Sequence, residues 1–208
     1  MLKKALAKIC LVERMIKVNV HPIHLFLVKK RTTFTWLIPL GLVAATWFWG
    51  HRNYTIYAIG LAFSLLGELV RVWAAGTIHK DDTIAEVGPY GLVRNPLYLG
   101  SLLIAIGVSV MSGLGPIAWA AILLLFLLFH MAAILYEEQF LKQKFGAPYE
   151  LYLTRVPRLI PMPGKSSVGG AAPQFSWKQV KFNREPTTAS ITLVTALLFG
   201  LLQVFCGK

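Results

Sequence analysis

The chain has 208 residues, 56% of them hydrophobic and 14% charged, with a mean hydropathy of +0.60. A soluble domain carries about a quarter charged residues, and here the apolar excess is gathered into blocks, so a soluble globular class is excluded in favour of an integral membrane protein. The net charge of +12 does not mark a nucleic-acid binder: eight Lys/Arg fall in residues 1–33 and eight between Glu137 and Pro186, both beside apolar runs, where basic residues set topology and meet anionic headgroups.

In residues 1–33, Leu2, Leu6, Ile9, Val12 and Ile16 fall near helical spacing with lysines between them. The stretch has neither the uninterrupted apolar core nor the small-residue cleavage site of a signal peptide, and an amphipathic helix lying on the membrane face is expected. Apolar runs follow at about 34–50 and 54–75, parted by the polar turn His51-Arg52-Asn53. After a polar loop, 76–96, a third run covers about 97–112 and is broken by Gly113-Leu114-Gly115-Pro116. A fourth run, 117–136, closes this hairpin. A polar region containing a flexible Pro/Gly/Ser stretch comes next, and a last apolar run begins at Thr187. The expected fold class is an all-α polytopic bundle of about five transmembrane helices. Its parts are a basic segment (1–33), a membrane core (34–161), a linker (162–186) and an additional C-terminal span (187–208). Sixteen residues at about 1.5 Å each reach only about 24 Å, short of a hydrocarbon core of about 30 Å, so the third run is expected to start inside its loop, to tilt, or to sit in a thinned site.

With the N-terminus cytoplasmic, nearly every basic residue lies on the inside, and the loops 76–96 and 137–161 face the cytoplasm, where a soluble cofactor is available. A bacterial inner membrane is preferred to the endoplasmic reticulum. Cys10 and Cys206, at opposite ends, give neither a metal-ligand spacing nor a disulfide framework.

The polar residues of those loops are candidates for chemistry. Glu137 and Glu138 follow an apolar run at the end expected to be its helical C-terminus, where acidic groups oppose the helix dipole and need compensation. A carboxylate is a bidentate acceptor suited to ribose hydroxyls; the plain alternative is a solvated pair beside Lys142 and Lys144. Arg94 offers a fork for a carboxylate or phosphate, or anchors a headgroup. Tyr90, Tyr98, Tyr149 and Tyr152 fit an interfacial belt as well as a ligand site. Glu68 lies inside a span with Arg71 at i+3, which allows an ion pair or a functional charge. His130 shares a helical face with Glu137 and either enters a cavity or bonds a neighbouring helix. No G-x-G-x-x-G after a strand, no phosphate-binding loop, no H-E-x-x-H, no Cys/His cluster and no nucleophile elbow occur, so soluble nucleotide-binding folds, metal sites and serine hydrolases are not indicated.

The run GPYGLVRNPLYLG (88–100), the apolar hairpin, and YEEQFLKQKFGAPYELYLTRVPRLIP (136–161) together resemble the isoprenylcysteine carboxyl methyltransferase and phospholipid methyltransferase superfamily. The resemblance covers about Trp73 to Pro161. It implies an S-adenosyl-L-methionine-dependent methyltransferase with its cofactor at the cytoplasmic end of the bundle and a lipidic acceptor entering from the membrane. By position, Asp82, Thr83, Ile84 and Ala85 would line the adenosyl pocket with Tyr90. Asn95, Pro96, Leu97 and Tyr98 would fill the cofactor strip, and Glu137 would contact the cofactor. Arg94 is expected to bind an anionic group of cofactor or acceptor, and Glu138 is the candidate to orient or deprotonate the acceptor. Asn95 stands where the family usually has histidine. Ala133 stands where carboxyl-methylating members have an arginine, and alanine cannot orient a carboxylate, which favours a lipid amine or hydroxyl over a prenylated cysteine as acceptor. The rival readings are a sterol-reductase-like oxidoreductase using NADPH and a non-enzymatic scaffold. Loop 76–96 holds Lys80 and Arg94 against Asp81, Asp82 and Glu86, a net of 2 − 3 = −1, which suits a cationic cofactor better than a phosphorylated one.

Overall fold

A computed structural model describes residues 37–78, 84–162 and 175–205, and within them every regular element is an α-helix. In chain order these are α1 (Leu37–Trp49), α2 (Tyr54–Thr77), α3 (Pro89–Leu92), α4 (Pro96–Met111), α5 (Pro116–Phe145), α6 (Ala147–Arg155), α7 (Trp177–Phe182) and α8 (Glu185–Phe205). The expected all-α membrane bundle is what forms. Three of these helices, α2, α5 and α8, are long and apolar enough to cross a membrane; α1 and α4 are apolar but shorter. The basic segment 1–33 lies outside the described residues.

Local chemistry sets the boundaries. Asn53 caps α2, its side-chain oxygen accepting from the amides of Thr55 (2.9 Å) and Ile56 (3.2 Å). Proline opens α4 and α5 at the first helical position, where a missing N–H costs nothing. Gly146, at φ 62°, ends α5 and opens α6 in a conformation that a β-carbon disfavours.

The expected end of the fourth run at Tyr136 differs from the structure: α5 continues nine residues further, to Phe145. The continuation, EEQFLKQKF, is polar but made of good helix formers, so the helix outlasts its apolar stretch. Glu137 and Glu138 therefore lie two turns inside α5, away from its C-terminal dipole, and the compensation argument does not apply to them.

The α2–α4 pair is the closest packing in the bundle. A β-carbon on Gly60 would fall 2.6 Å from the carbonyl oxygen of Gly107, and one on Gly67 would fall 2.6 Å from that of Gly100. Backbone meets backbone here, as small residues permit inside a membrane, where apolar side chains gain little by leaving lipid. Helix α8 lies across this pair. Tyr54 and Tyr57 donate to the carbonyls of Gln203 (3.3 Å) and Ala196 (3.1 Å), and Phe199, fully buried, joins Leu42, Val108, Met111, Ala196 and Leu202 in the core. A second, smaller core gathers Tyr149, Tyr152 and Val156 against Ile84, Leu141 and Phe145, beside the polar end of the hairpin.

Candidate functional site

Three segments distant in sequence converge at the end of the bundle where α4 begins. Arg94 and Pro157 are joined by a backbone bond, the Arg94 amide to the Pro157 carbonyl at 2.8 Å, which brings the segment after α6 alongside the start of α4. Asn95 heads α4 with its main chain, its carbonyl accepting from the amides of Tyr98 and Leu99, while its side chain leaves the cap unmade. The freed amide donates instead to Glu138 Oε1 (3.3 Å) and to the Arg158 carbonyl (3.1 Å).

Glu138, 7% exposed, is the hub. Arg158 reaches it through Nε (3.2 Å to Oε1, 3.1 Å to Oε2) and Nη2 (2.9 Å to Oε2), and Arg94 Nη1 stands 3.5 Å from Oε1. Hydrogen bonding to the carboxylate raises the Arg158 pKa above its ordinary value. The carboxylate is thus held by two guanidinium groups and an amide, an arrangement that fixes the loop after α6 to the start of α4. The solvated-pair alternative fails for Glu138, and Lys142 turns to Glu150 at 2.9 Å instead. Sequence reasoning gave Arg158 no role; its only signal was a second arginine beside a proline in TRVPRLIP. Glu137, one residue earlier on the helix, faces elsewhere and accepts from the Tyr98 hydroxyl at 2.8 Å.

Beside this cluster opens a cavity of about 1270 Å³. Ile84, Ala85, Tyr90, Arg94, Asn95, Pro96, Leu97, Tyr98 and Glu137 all line it. Glu138 does not; it sits behind Arg94 and Asn95. Asp82 and Thr83 lie outside the described residues. His130 also faces the cavity, with Nδ1 2.9 Å from the Phe126 carbonyl one turn earlier on the same helix, its ring stacked on Phe126 and edge-on to Tyr98 of α4. Ala133 is fully buried. Glu68 and Arg71 are not paired: Arg71 forms a bidentate bridge to Glu185, with Nε to Oε1 at 2.6 Å and Nη2 to Oε2 at 3.0 Å.

Three buried polar atoms of cavity-lining residues have no hydrogen-bond partner, the Tyr90 hydroxyl, Arg94 Nε and Asn183 Oδ1. Tyr90 is anchored by its backbone, whose carbonyl accepts from the Tyr152 hydroxyl at 2.7 Å. Burial raises the pKa of Tyr90, Tyr149 and Tyr152 above the usual phenol value, so each is a neutral hydroxyl. The polar end therefore offers the buried donors of Tyr90 and Arg94, the Asn183 amide oxygen, and the carboxylates of Glu137 and Glu185, the latter bound to Arg71. One side of the remaining cavity is apolar, walled by Leu37 and Leu42 of α1, Val108 of α4, and Leu125, Phe126 and Phe129 of α5, while α8 adds Thr188, Thr192 and Thr195. Such a cavity suits a ligand, or a pair of ligands, with a charged head and an apolar body.

Residues 53–148 match the phospholipid methyltransferase family. Among curated proteins, the chain is 36% identical over 110 residues to a probable protein-S-isoprenylcysteine O-methyltransferase of Oryza sativa subsp. indica, an alignment covering 47% of this chain and 57% of that protein. It is 32% identical over 122 residues to protein-S-isoprenylcysteine O-methyltransferase B of Arabidopsis thaliana, covering 53% and 61%. It is 31% identical over 136 residues to the cobalt-zinc-cadmium resistance protein CzcN of Cupriavidus metallidurans, covering 61% and 62%. The chain thus spans less than two thirds of each of these relatives. No solved structure matches.

Proposed function

From a chain whose residues 53–148 belong to the isoprenylcysteine and phospholipid methyltransferase superfamily, we propose an integral membrane methyltransferase that uses S-adenosyl-L-methionine and modifies a lipidic acceptor. The observation that carries this reading is the single cavity in which Glu137, Tyr98 and the partnerless donors of Tyr90 and Arg94 meet an apolar body. At about 1270 Å³ the cavity exceeds the roughly 300–1,000 Å³ usual for one small ligand, which leaves room for donor and acceptor together.

The residues fit the donor. Glu137, oriented by Tyr98, takes the ribose hydroxyls, and Arg94 and Tyr90 supply two donors for the carboxylate. Ile84, Ala85 and Leu97 pack the remainder. When bound, S-adenosyl-L-methionine supplies an electrophilic methyl group whose transfer leaves a neutral thioether. The chain's own task is to align the acceptor and exclude water, and positioning of this kind lowers barriers without an acid or base. Glu138, with both oxygens engaged, is a positioning residue for Arg94 and Arg158 and not a base. Access for the acceptor from the bilayer is supported by α5, which presents Leu124, Leu127 and Leu128 outward and lines the cavity with Leu125, Phe126 and Phe129. The Lys/Arg excess in residues 1–33 and 137–186 supports a cytoplasmic placement of the site.

Titration calorimetry with S-adenosyl-L-methionine tests the reading. Removing the ribose contacts through Glu137→Ala weakens donor binding about tenfold or more, as loss of charged hydrogen bonds does. Equal affinities for wild type and variant would take Glu137 out of the site, and no binding by the wild type would remove the proposal.

A further inference from the structure

Helix α7, which lies beyond the stretch matched to the family, has two sides of opposite chemistry. At about 100° per residue, Gln179, Asn183 and Val180 fall about 200°, 240° and 300° round from Trp177. This side turns inward. Val180 is buried, Asn183 donates to the Ala75 carbonyl (2.8 Å) and Gln179 to that of Ile78 (2.6 Å), and the Ser176 amide, just before the helix, donates to Gly76 (3.0 Å). Carbonyls at the C-terminus of α2 are thereby satisfied. The remaining arc, about 0° to 140°, carries Trp177, Lys181, Lys178 and Phe182 in that angular order, two lysines between two aromatic rings. All four are exposed, Trp177 by 67% and Phe182 by 73%.

The 24 residues of α2 reach about 36 Å, through a hydrocarbon core of about 30 Å. Folded over the end of that span and leading straight into the next, α7 lies at the level of the headgroups, where tryptophan rings are at home. Trp177 is held ready there: it meets Phe175 edge-on at 5.0 Å, and Phe175 lies on Gly76, where a β-carbon would overlap its ring. Among the described residues, Lys178 and Lys181 have no acidic partner. Arg184 extends the row. It is exposed, lines the cavity, and takes φ 59°, a left-handed conformation uncommon for a residue with a β-carbon. Its neighbour Glu185 is spent on Arg71 and leaves the row uncompensated. Three cations thus run from α7 to the rim of the cavity. A soluble polyanion would have no use for the exposed rings, and a neutral bilayer none for the cations. Rings and cations together match an anionic lipid surface.

We propose that the outward face of α7, with Arg184, binds the phosphate of an anionic membrane lipid, at a seat on the cavity rim separate from the acceptor inside. Lys178, Lys181 and Arg184 take the phosphate, and Trp177 and Phe182 sink beside it into the headgroup layer. The test needs no methyl donor, so it stands apart from the methyltransferase reading. The purified full chain in neutral detergent is titrated with pyrene-labelled phosphatidylglycerol, read by energy transfer from tryptophan. Unlabelled phosphatidylglycerol, phosphatidylcholine with the same chains, and soluble glycerol 3-phosphate compete. A basic residue near an anionic surface is worth about fivefold in affinity, so wild type prefers phosphatidylglycerol to phosphatidylcholine about twentyfold or more. Lys178→Gln, Lys181→Gln lowers the preference below about fivefold, and Lys181→Gln alone gives an intermediate value should the double variant fold poorly. Lys142→Gln, Lys144→Gln removes the same charge from the end of α5, where Lys142 is already paired with Glu150, and leaves the preference intact. Equal binding of the two lipids, a preference that survives the glutamines at 178 and 181, equal losses in both double variants, or displacement by glycerol 3-phosphate as effective as by phosphatidylglycerol would each overturn the proposal.

Discussion

Tyr90 shows how a side chain can be costly to the empty fold and useful to a filled one. It is 6% exposed, and its hydroxyl has no partner, although native interiors leave few buried polar groups in that state. Its backbone is held by Tyr152, and burial leaves the ring little room to turn away. An unmade hydrogen bond in a buried site costs about 1–3 kcal/mol, and a ligand acceptor recovers it. Tyr90→Phe removes the unpaired hydroxyl while keeping the ring. In thermal unfolding of the ligand-free protein, the variant melts at or above the wild-type temperature. In calorimetry it binds S-adenosyl-L-methionine about five- to tenfold more weakly, the worth of one hydrogen bond. A drop in melting temperature with unchanged donor affinity would assign the hydroxyl to the fold instead.

Among the elements, the α2–α4 pair decides whether a site exists at all, because α4 carries Asn95 to Tyr98 and α2 carries Arg71. Their backbones touch through Gly60 and Gly107 and through Gly67 and Gly100. A leucine at 67 would drive its β-carbon into the Gly100 carbonyl, a backbone atom that cannot turn aside. Gly67→Leu therefore sharply lowers the yield of monodisperse protein in size-exclusion chromatography, overpacking of this kind costing about 1–3 kcal/mol or more. Gly41→Ala, at a position with open space around it, leaves the yield unchanged. These contacts were open to sequence reading only in part. Proline and glycine marked where α4 and α5 begin, and apolar length marked α2, α5 and α8. Hydropathy ended α5 at Tyr136 because it registers only the apolar stretch, whereas Glu, Gln, Lys and Leu in 136–145 continue a helix in water. The site followed the same pattern. Glu137 and Tyr98 were visible as residue types in a motif, but their mutual bond, the Arg158 clamp on Glu138 and the Arg71–Glu185 bridge join positions 20 to 114 residues apart, and only tertiary packing selects such pairs.

At the scale of the whole molecule, the polar end of the membrane bundle is closed by the small aromatic core of α6, and that core carries a pH limit. Tyr149 and Tyr152 pack with Val156 against Ile84, Leu141 and Phe145, and Tyr90 lies above them through the Tyr152 bond. Burial is the largest cause of the raised pKa of all three phenols, with nearby Glu137 or Glu138 adding to it for Tyr90 and Tyr149. The sign follows from linkage. Below the unfolded phenol pKa of about 10, both states keep their protons and the stability is fully present. Above it the unfolded chain releases protons that the folded chain retains, so stability falls as pH rises towards the folded values. Each buried tyrosine contributes a slope of up to about 1.4 kcal/mol per pH unit in that window. Melting temperature is therefore flat from pH 8 to about 9.5, apart from other titrating groups, and declines steeply beyond 10. Tyr149→Phe, which deletes one of the three phenols and keeps the ring, makes the decline shallower by about a third. Parallel alkaline curves for wild type and variant would show that Tyr149 ionises as readily in the fold as out of it, and that α6 does not seal the polar end.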